Sequence, residues 1–393
     1  MNILFVIDTY QTNNNGTSIS AQRYAQQLRQ RGHEVRIVCA DENPAEDTYM
    51  LQEKHYYPFD NLIHKHGFRF AQPDEEVIRE AVEWADVVHC FMPFQLTHCA
   101  KRIADELGKP ATVAFHIQPE NITSSAGLGK VHWLNELFYK NFYQYIYRHF
   151  RHIHTPSPFM AKEIFQRGYD AKIYPISNGI QPEFKYTKVA KDVQYADKIL
   201  ITMVGRLSQE KRQDVIINAV QHSKYAERIQ LVFAGRGPEY NRYVELGKHL
   251  PNPPQFVYLS KHELIHLLAQ TDLYVHASDM ESEAISCIEA FATGLVPIIS
   301  NSTMSATPQF ALDERSLFDA GNPKALAQAI DYWLDHPTEK ARMEKCYAEH
   351  AKNYSLEHSV AAFEQMLLDA MAAYYTQTMQ IVPVVSPILR KAL

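Results

Sequence analysis

Short apolar runs alternate with amphipathic stretches along this chain. Residues 3–7, 35–40, 87–91 and 112–115 are apolar nearly throughout and rich in Val and Ile, the pattern of parallel strands buried on both faces. Between the first two runs, Ala21, Tyr24, Ala25 and Leu28 fall at helical spacing and Gly32 closes the helix. The alternation then restarts. Residues 199–204, 231–234, 256–259, 273–276 and 296–300 read as a second set of strands, with helical stretches between them. Alternation of this kind predicts an α/β protein of two tandem doubly wound, Rossmann-like domains facing each other across a cleft. The boundary falls between Asn178-Gly179 and Asp197, where a turn dipeptide and Pro182 interrupt the periodicity.

The domains are accordingly expected at 1–180 and 181–355. From Pro323 onward the pattern is helical, and a last long helix over 356–375 is expected to cross back over both lobes. The tail 376–393 carries Met379, Ile381, Val382, Val384, Val385, Ile388 and Leu389, broken by Pro383 and Pro387. It reads as an extended segment packed on the body, with a partner or membrane contact as the alternative.

Composition narrows the class. A chain of 393 residues suits two domains, and 46% hydrophobic residues are enough for two cores. A net charge of −6 argues against a dedicated nucleic-acid binder. Cys39, Cys90, Cys99, Cys287 and Cys346 are scattered and form no C-x-x-C pair, so neither a zinc site nor a disulfide framework is expected. The chain opens directly on a strand, without a basic leader, and lacks an unbroken apolar run long enough to span a bilayer. A cytoplasmic protein is the expectation, with peripheral contact to the inner face of the membrane left open.

The densest chemical signal is Glu281-Ser-Glu-Ala-Ile-Ser-Cys-Ile-Glu289, followed by Ala-Phe-Ala-Thr-Gly294 and a strand. Two carboxylates eight residues apart on a helix would stand about 12 Å apart, near the span from the sugar to the ribose of a nucleotide sugar. Free N–H groups at the helix start, over Ser282, Glu283, Ala284 and Ile285, suit a diphosphate. Alone, the spacing equally fits two solvent-facing glutamates. The second signal is Gly205-Arg206-Leu207-Ser208-Gln209-Glu210-Lys211, a strand-to-helix loop flanked by two cations. Arg206 and Lys211 suit the negative charge that grows on a departing phosphate. Gly235 and Gly237 mark a tight turn after the next strand, with Arg236 between them as a further phosphate contact. In the first domain, Gly16 before the first helix would admit a phosphate or sugar close to the backbone. His116 lies just beyond a strand's C-terminal end, where such sheets open onto their ligand crevice, although a strand-end histidine satisfied by backbone reads the same way.

Taken together these motifs resemble the retaining glycosyltransferases of family 4, which have the GT-B fold. That family carries a Glu-x7-Glu signature followed by a Gly-x-Pro turn, matched by Glu281, Glu289 and Gly294-Leu-Val-Pro297 with one extra residue before the proline. It also carries Gly-Arg-Leu-x-x-x-Lys, matched by residues 205–211, and Gly32-His-Glu-Val35 fits as well. The resemblance covers about 1–375. It implies that Glu281 contacts the donor sugar and Glu289 the ribose, that His116 meets the sugar or positions the acceptor, and that catalysis needs neither metal nor cofactor. Where the family has Gly and an aromatic after the first Glu, this chain has Ser282 and Glu283, an extra carboxylate expected near the sugar. No Asp-x-Asp is present, which disfavours the metal-dependent GT-A class. The implied function is transfer of a hexose from a nucleotide diphosphate sugar, UDP-linked, to a membrane lipid such as diacylglycerol. The alternatives are a soluble or polymer-linked sugar acceptor, or a non-catalytic GT-B adaptor subunit.

One surface bears on the acceptor. Residues 130–172 hold seven cations (Lys130, Lys140, Arg148, Arg151, Lys162, Arg167, Lys172) against Glu136, Glu163 and Asp170, with eight aromatics between Trp133 and Phe150. This composition fits docking on an anionic membrane, or a core helix with a solvated face. The preceding 121–129 reads as a mobile loop near the acceptor.

Overall fold

The computed structural model describes residues 1–12, 16–41, 47–58, 60, 64, 69–125, 128, 129 and 131–381. The strands are β1 (Asn2–Val6), β2 (Glu34–Cys39), β3 (Thr48–Met50), β4 (Glu53–Lys54), β5 (Phe70–Ala71), β6 (Val87–Cys90), β7 (Ala111–Ala114), β8 (His152–Thr155), β9 (Lys172–Pro175), β10 (Ile199–Val204), β11 (Ile229–Ala234), β12 (Gln255–Val257), β13 (Leu273–His276), β14 (Pro297–Ser300) and β15 (Leu317–Phe318). Two parallel sheets result, ordered β3-β2-β1-β6-β7-β8-β9 and β12-β11-β10-β13-β14-β15, and β4 and β5 pair separately. In the first, Ile3 stands opposite Val35 on one side and Val87 on the other. In the second, Ile201 stands between Leu231 and Leu273.

Both sheets change winding direction once, at β1/β6 and at β10/β13. The loops after those strands diverge there and leave a crevice at the carboxyl ends. The crevices of the two lobes face each other, so the residues after β1, β7, β10 and β13 come to one cleft.

The long helix Leu356–Ile381 starts in the second lobe's connection and buries Leu356, Val360, Phe363, Met366 and Leu367 in the core of the first. Their spacing gives one apolar stripe. It runs beyond the expected end at 375, so Thr376–Ile381 continue the helix rather than opening an extended tail, and 382–393 lie outside the described residues. Two chain segments cross between the lobes side by side, joined by a parallel bridge at Ile180 and Ser355. Gly179 permits this contact: with φ of 75°, a Cβ there would stand 2.7 Å from Cα of Leu356.

Three sequence expectations are corrected. Of the segment 121–129, residues 121–125 are helical rather than loop, as part of Pro119–Ser125, and Ser124 Oγ meets Met280 Sδ of the other lobe at 3.2 Å; residues 126 and 127 lie outside the described residues. Residues 130–172 are not one amphipathic face: they contain two helices, His132–Tyr145 and Pro158–Gln166, and the strand β8, and they end on the first residue of β9. Lys130 lies outside the described residues. Finally, Glu281 is not on a helix. It precedes the helix Ile285–Ala292 by four residues and forms an extended bridge with Ser305, so a helical rise does not measure its distance to Glu289.

Candidate active site

The donor-facing half is built from two loops locked backbone to backbone. Beyond β10, the N–H of Leu207 donates to the carbonyl of Arg236 at 3.0 Å, and the N–H of Glu239 donates to the carbonyl of Leu207 at 3.0 Å. This closeness requires glycine. A Cβ on Gly235 would stand 2.0 Å from the carbonyl oxygen of Gly205, and one on Gly237 would stand 2.2 Å from that of Leu207. The expected shape-setting role of both glycines follows from these contacts. Arg236 lays its guanidinium 3.9 Å over the ring of Tyr258. Arg206, whose side chain is 42% exposed, donates to Glu210 Oε1 at 2.8 Å.

Lys211 leaves the same loop and pairs with Glu281. His276, the last residue of β13, holds the same carboxylate oxygen through Nε2 at 2.9 Å, and Tyr274 OH meets its Nδ1 at 3.3 Å. Burial alone would neutralise Glu281, yet the Lys211 charge and the His276 bond outweigh it and hold the carboxyl well below its ordinary range. It is an anion at the floor of the cleft. Residues 70 apart in sequence thus meet at the second lobe's switch point. His276 escaped the sequence reading as a site residue, although its place at a strand's C-terminal end is the signal that singled out His116.

Next to this cluster, Arg212 bridges Asp214 and Asp279 from a left-handed backbone with φ of 56°. Ala284 is left-handed as well, with φ of 74°, and no side chain caps the helix that follows it. Ser282, Ala284 and Ile285 therefore form the turn that presents the helix start. Glu283, expected beside the sugar, is bonded to the crossover: its Oε2 accepts from the backbone N–H of Asn178 at 3.0 Å and from Asn178 Nδ2 at 2.6 Å. Burial pushes its carboxyl up to about 7. Glu289, in the helix, is also buried and pushed up to about 7 by that burial, against the pull of Arg23. Arg23 belongs to the first lobe's helix Gly16–Gln30 and reaches Glu289 Oε1 at 3.5 Å while donating to the carbonyl of Gly179 at 3.3 Å. Arg23 carried no motif, and only the packing of the lobes brings it here.

In the first lobe, Gly16 opens the helix on its exposed side, and among the described residues a Cβ there would meet nothing within 4 Å. His116 is buried, parallel to the Phe91 ring at 6.1 Å and edge-on to His154 at 4.9 Å. Burial, with His154 adding to it, keeps its imidazole neutral far below its ordinary range. Its Nε2 has no partner among the described residues, so the backbone-satisfied reading fails. Gln118 spans the cleft, donating from Nε2 to the carbonyl of Met304 at 3.1 Å. Among the described residues, no group of three His, Cys, Asp or Glu is arranged to hold a metal.

Residues 185–371 match the family described as glycosyl transferases group 1, and residues 14–184 match glycosyltransferase family 4. An alpha-monoglucosyldiacylglycerol synthase of Streptococcus pneumoniae is 23% identical over 323 residues, 77% of this chain and 71% of that protein. A GDP-mannose-dependent alpha-mannosyltransferase of Mycobacterium tuberculosis is 22% identical over 318 residues, 76% of this chain and 78% of that protein. Among solved structures, Anabaena Alr3699/HepE in complex with UDP and glucose superposes with a TM-score of 0.72 at 14% identity, covering 94% of this chain and all of that one. The catalytic domain of a cholesterol-alpha-glucosyltransferase from Helicobacter pylori shares 47% identity across 40% of this chain and 99% of that one, with a TM-score of 0.39.

Proposed function

This chain belongs to the glycosyltransferases of family 4, with the GT-B fold, and from that premise we propose that it moves a hexose from a UDP-linked sugar to the hydroxyl of a membrane lipid such as diacylglycerol, with retention at the anomeric carbon. The observation that carries the donor reading is the meeting of Lys211 and His276 on an ionised Glu281 at the second lobe's switch point. A buried anion held in that position suits hydroxyls of a sugar. Arg206 and Lys211 then neutralise the charge that grows on the β-phosphate as its bond to the anomeric carbon breaks. The N–H groups of Ala284 and Ile285 hold the diphosphate at a helix start, and Glu289 takes the ribose hydroxyls. The acceptor oxygen bonds to the anomeric carbon on the face the phosphate leaves, and its proton passes to the departing phosphate. His116, neutral and with an Nε2 that has no partner among the described residues, accepts a hydrogen bond from a hydroxyl of the sugar or acceptor and so orients it.

The lipid reading rests on the surface of the helix His132–Tyr145. Trp133 is 71% exposed and Leu137 is 48% exposed, and with Lys140 they fall on one side of the helix at spacings of four and three. Phe165 adds a second exposed aromatic at 72%. Apolar groups beside cations suit an anionic interface. Not all of the expected charge is available, since Arg167 is engaged by Glu136 and Glu163 and Lys172 by Asp369. No described helix is long and apolar enough to cross a membrane.

A panel of UDP, GDP and ADP sugars, read by thermal shift and then by product analysis, tests the reading. Diacylglycerol, cholesterol and soluble oligosaccharides serve as acceptors. A UDP-sugar that stabilises the protein and yields an α-linked glycolipid is expected, with activity retained in EDTA because Arg206 and Lys211 supply the positive charge. Transfer only to soluble sugars would replace the lipid reading. Activity that EDTA abolishes and Mn²⁺ restores would refute the metal-independent step.

A further inference from the structure

The turn that leads into the helix Ile285–Ala292 is held from outside its own lobe. Glu283 Oε2 takes both the backbone N–H and the Nδ2 of Asn178. Asn178 lies on the crossover that leaves the first lobe, one residue before the glycine that packs on Leu356. One residue ahead of Glu283, the carbonyl of Ser282 accepts from Ser157 Oγ at 2.6 Å. Ser157 caps the first-lobe helix Pro158–Gln166. One residue after Glu283, Ala284 occupies the left-handed region, which is unfavourable for a residue bearing a Cβ. Such a conformation persists only where the surroundings over-determine it. Here two flanking hydrogen-bonded tethers reach it from the first lobe and the crossover.

A carboxylate fits this task. One of its oxygens accepts from two donors of a single residue, the backbone N–H and the Nδ2 of Asn178. Asn178 Oδ1 has no partner among the described residues, so the amide is oriented through its nitrogen, on Glu283. Rotation of the lobes about the paired crossovers at Ile180 and Ser355 would move Ser157 away from Ser282 and strain the bonds to Asn178.

We propose that Glu283 is a positioning residue that ties the donor-facing turn to the lobe crossover at Asn178, so that lobe closure and presentation of the turn to the donor become one event. The proposal rests on the donor reading above and concerns a residue that the motif match alone would place at the sugar.

The test uses the full chain with Glu283→Ala, Glu283→Gln, Asn178→Ala and the Asn178→Ala/Glu283→Ala double variant. Two quantities are read: kcat with donor KM, and hydrogen exchange of the 281–288 amides with and without UDP. Misplacement of a donor-binding turn predicts a kcat lowered about tenfold or more in Glu283→Ala, together with faster exchange at 281–288. Glu283→Gln keeps a carbonyl acceptor and should recover most of both. The double variant should be no worse than Glu283→Ala, as expected for two residues acting through one contact. Normal kcat and exchange in Glu283→Ala, or losses that add in the double variant, would overturn the proposal. If Glu283→Ala does not fold, Asn178→Ala decides: an intermediate loss of kcat and protection upholds the tether, and none sinks it. If the wild type transfers and hydrolyses no nucleotide sugar, the donor reading fails. Exchange without UDP then decides the tether by itself, since equal rates in Glu283→Ala and Glu283→Gln would refute it.

Discussion

At the scale of single residues, this site works by setting like groups to different charge states. Glu281 is kept ionised by Lys211 and His276, whereas Glu283 and Glu289, within eight residues of it, are pushed toward the neutral form by burial. Lys211→Ala therefore removes the counter-charge of a buried carboxylate and, on the proposed donor reading, a phosphate contact. We expect kcat to fall about tenfold to a thousandfold, with a similar loss for Arg206→Ala. Steady-state kinetics on folded protein checks this, and near-normal kcat in both would remove them from the reaction. Lys211→Ala should also lower Tm more than Arg206→Ala, because Arg206 is the more exposed of the two and an unpaired buried anion is costly. The charge states predict a pH dependence too. Glu283 and Glu289 titrate at about 7 in the fold against an ordinary 4.5, so the folded state binds more protons between those values. Their contribution to stability is complete below 4.5 and is lost as pH rises toward 7. His116 and His154, lowered by burial, act in the opposite direction. The informative quantity is therefore the difference between wild type and Glu283→Gln/Glu289→Gln: the variant's Tm should gain on the wild type's as pH rises from 4.5 to 7.5. Parallel profiles would contradict these assignments.

At the scale of elements, the turn before the helix Ile285–Ala292 carries the strain. The sequence reading placed the helix start correctly between the two glutamates, but it put Glu281 on the helix. Periodicity cannot reveal that Ala284 is left-handed, because alanine is a strong helix former and only its surroundings force it out. Ala284→Gly should relieve the strain and raise unfolding stability by up to about 1 kcal/mol, the left-handed cost less the added chain entropy of glycine. Denaturant melts would show it, and a loss of stability would mean that the methyl group packs usefully. The strands β8 and β9 were also missed. Their sequences, His-Ile-His-Thr and Lys-Ile-Tyr-Pro, are short and mixed, and they become strands by pairing beside β7.

At the scale of the whole molecule, two lobes joined by two adjacent crossovers enclose a cleft that several side chains already bridge: Arg23 to Glu289, Gln118 to Met304 and Ser157 to Ser282. The same closure leaves the exposed stripe of Trp133, Leu137 and Lys140 free on the first lobe. If that stripe docks on lipid, each basic group near an anionic surface contributes about 1 kcal/mol, weakened by salt. The wild type should therefore co-sediment with anionic vesicles at low salt and be released steeply as salt rises. Lys140→Glu/Arg148→Glu/Arg151→Glu should abolish binding while leaving donor hydrolysis intact, since the residues proposed to hold the diphosphate and ribose lie on the other lobe. A wild type that never co-sediments would make a soluble acceptor the better reading.

The chain's own pattern determined the central strands of the two sheets, the long last helix and the motif loops at 205–211 and 281–289. Each of these is written in local periodicity or in residues close together in sequence. Only tertiary structure decided that His276 and Lys211 share one carboxylate, that Arg23 reaches Glu289 from another lobe, and that Glu283 is bonded to the crossover at Asn178. Those contacts join residues 5 to 266 positions apart. Their geometry depends on how two separately wound sheets meet, and a hydrophobic pattern encodes which face of each element is buried without encoding which polar tips then converge.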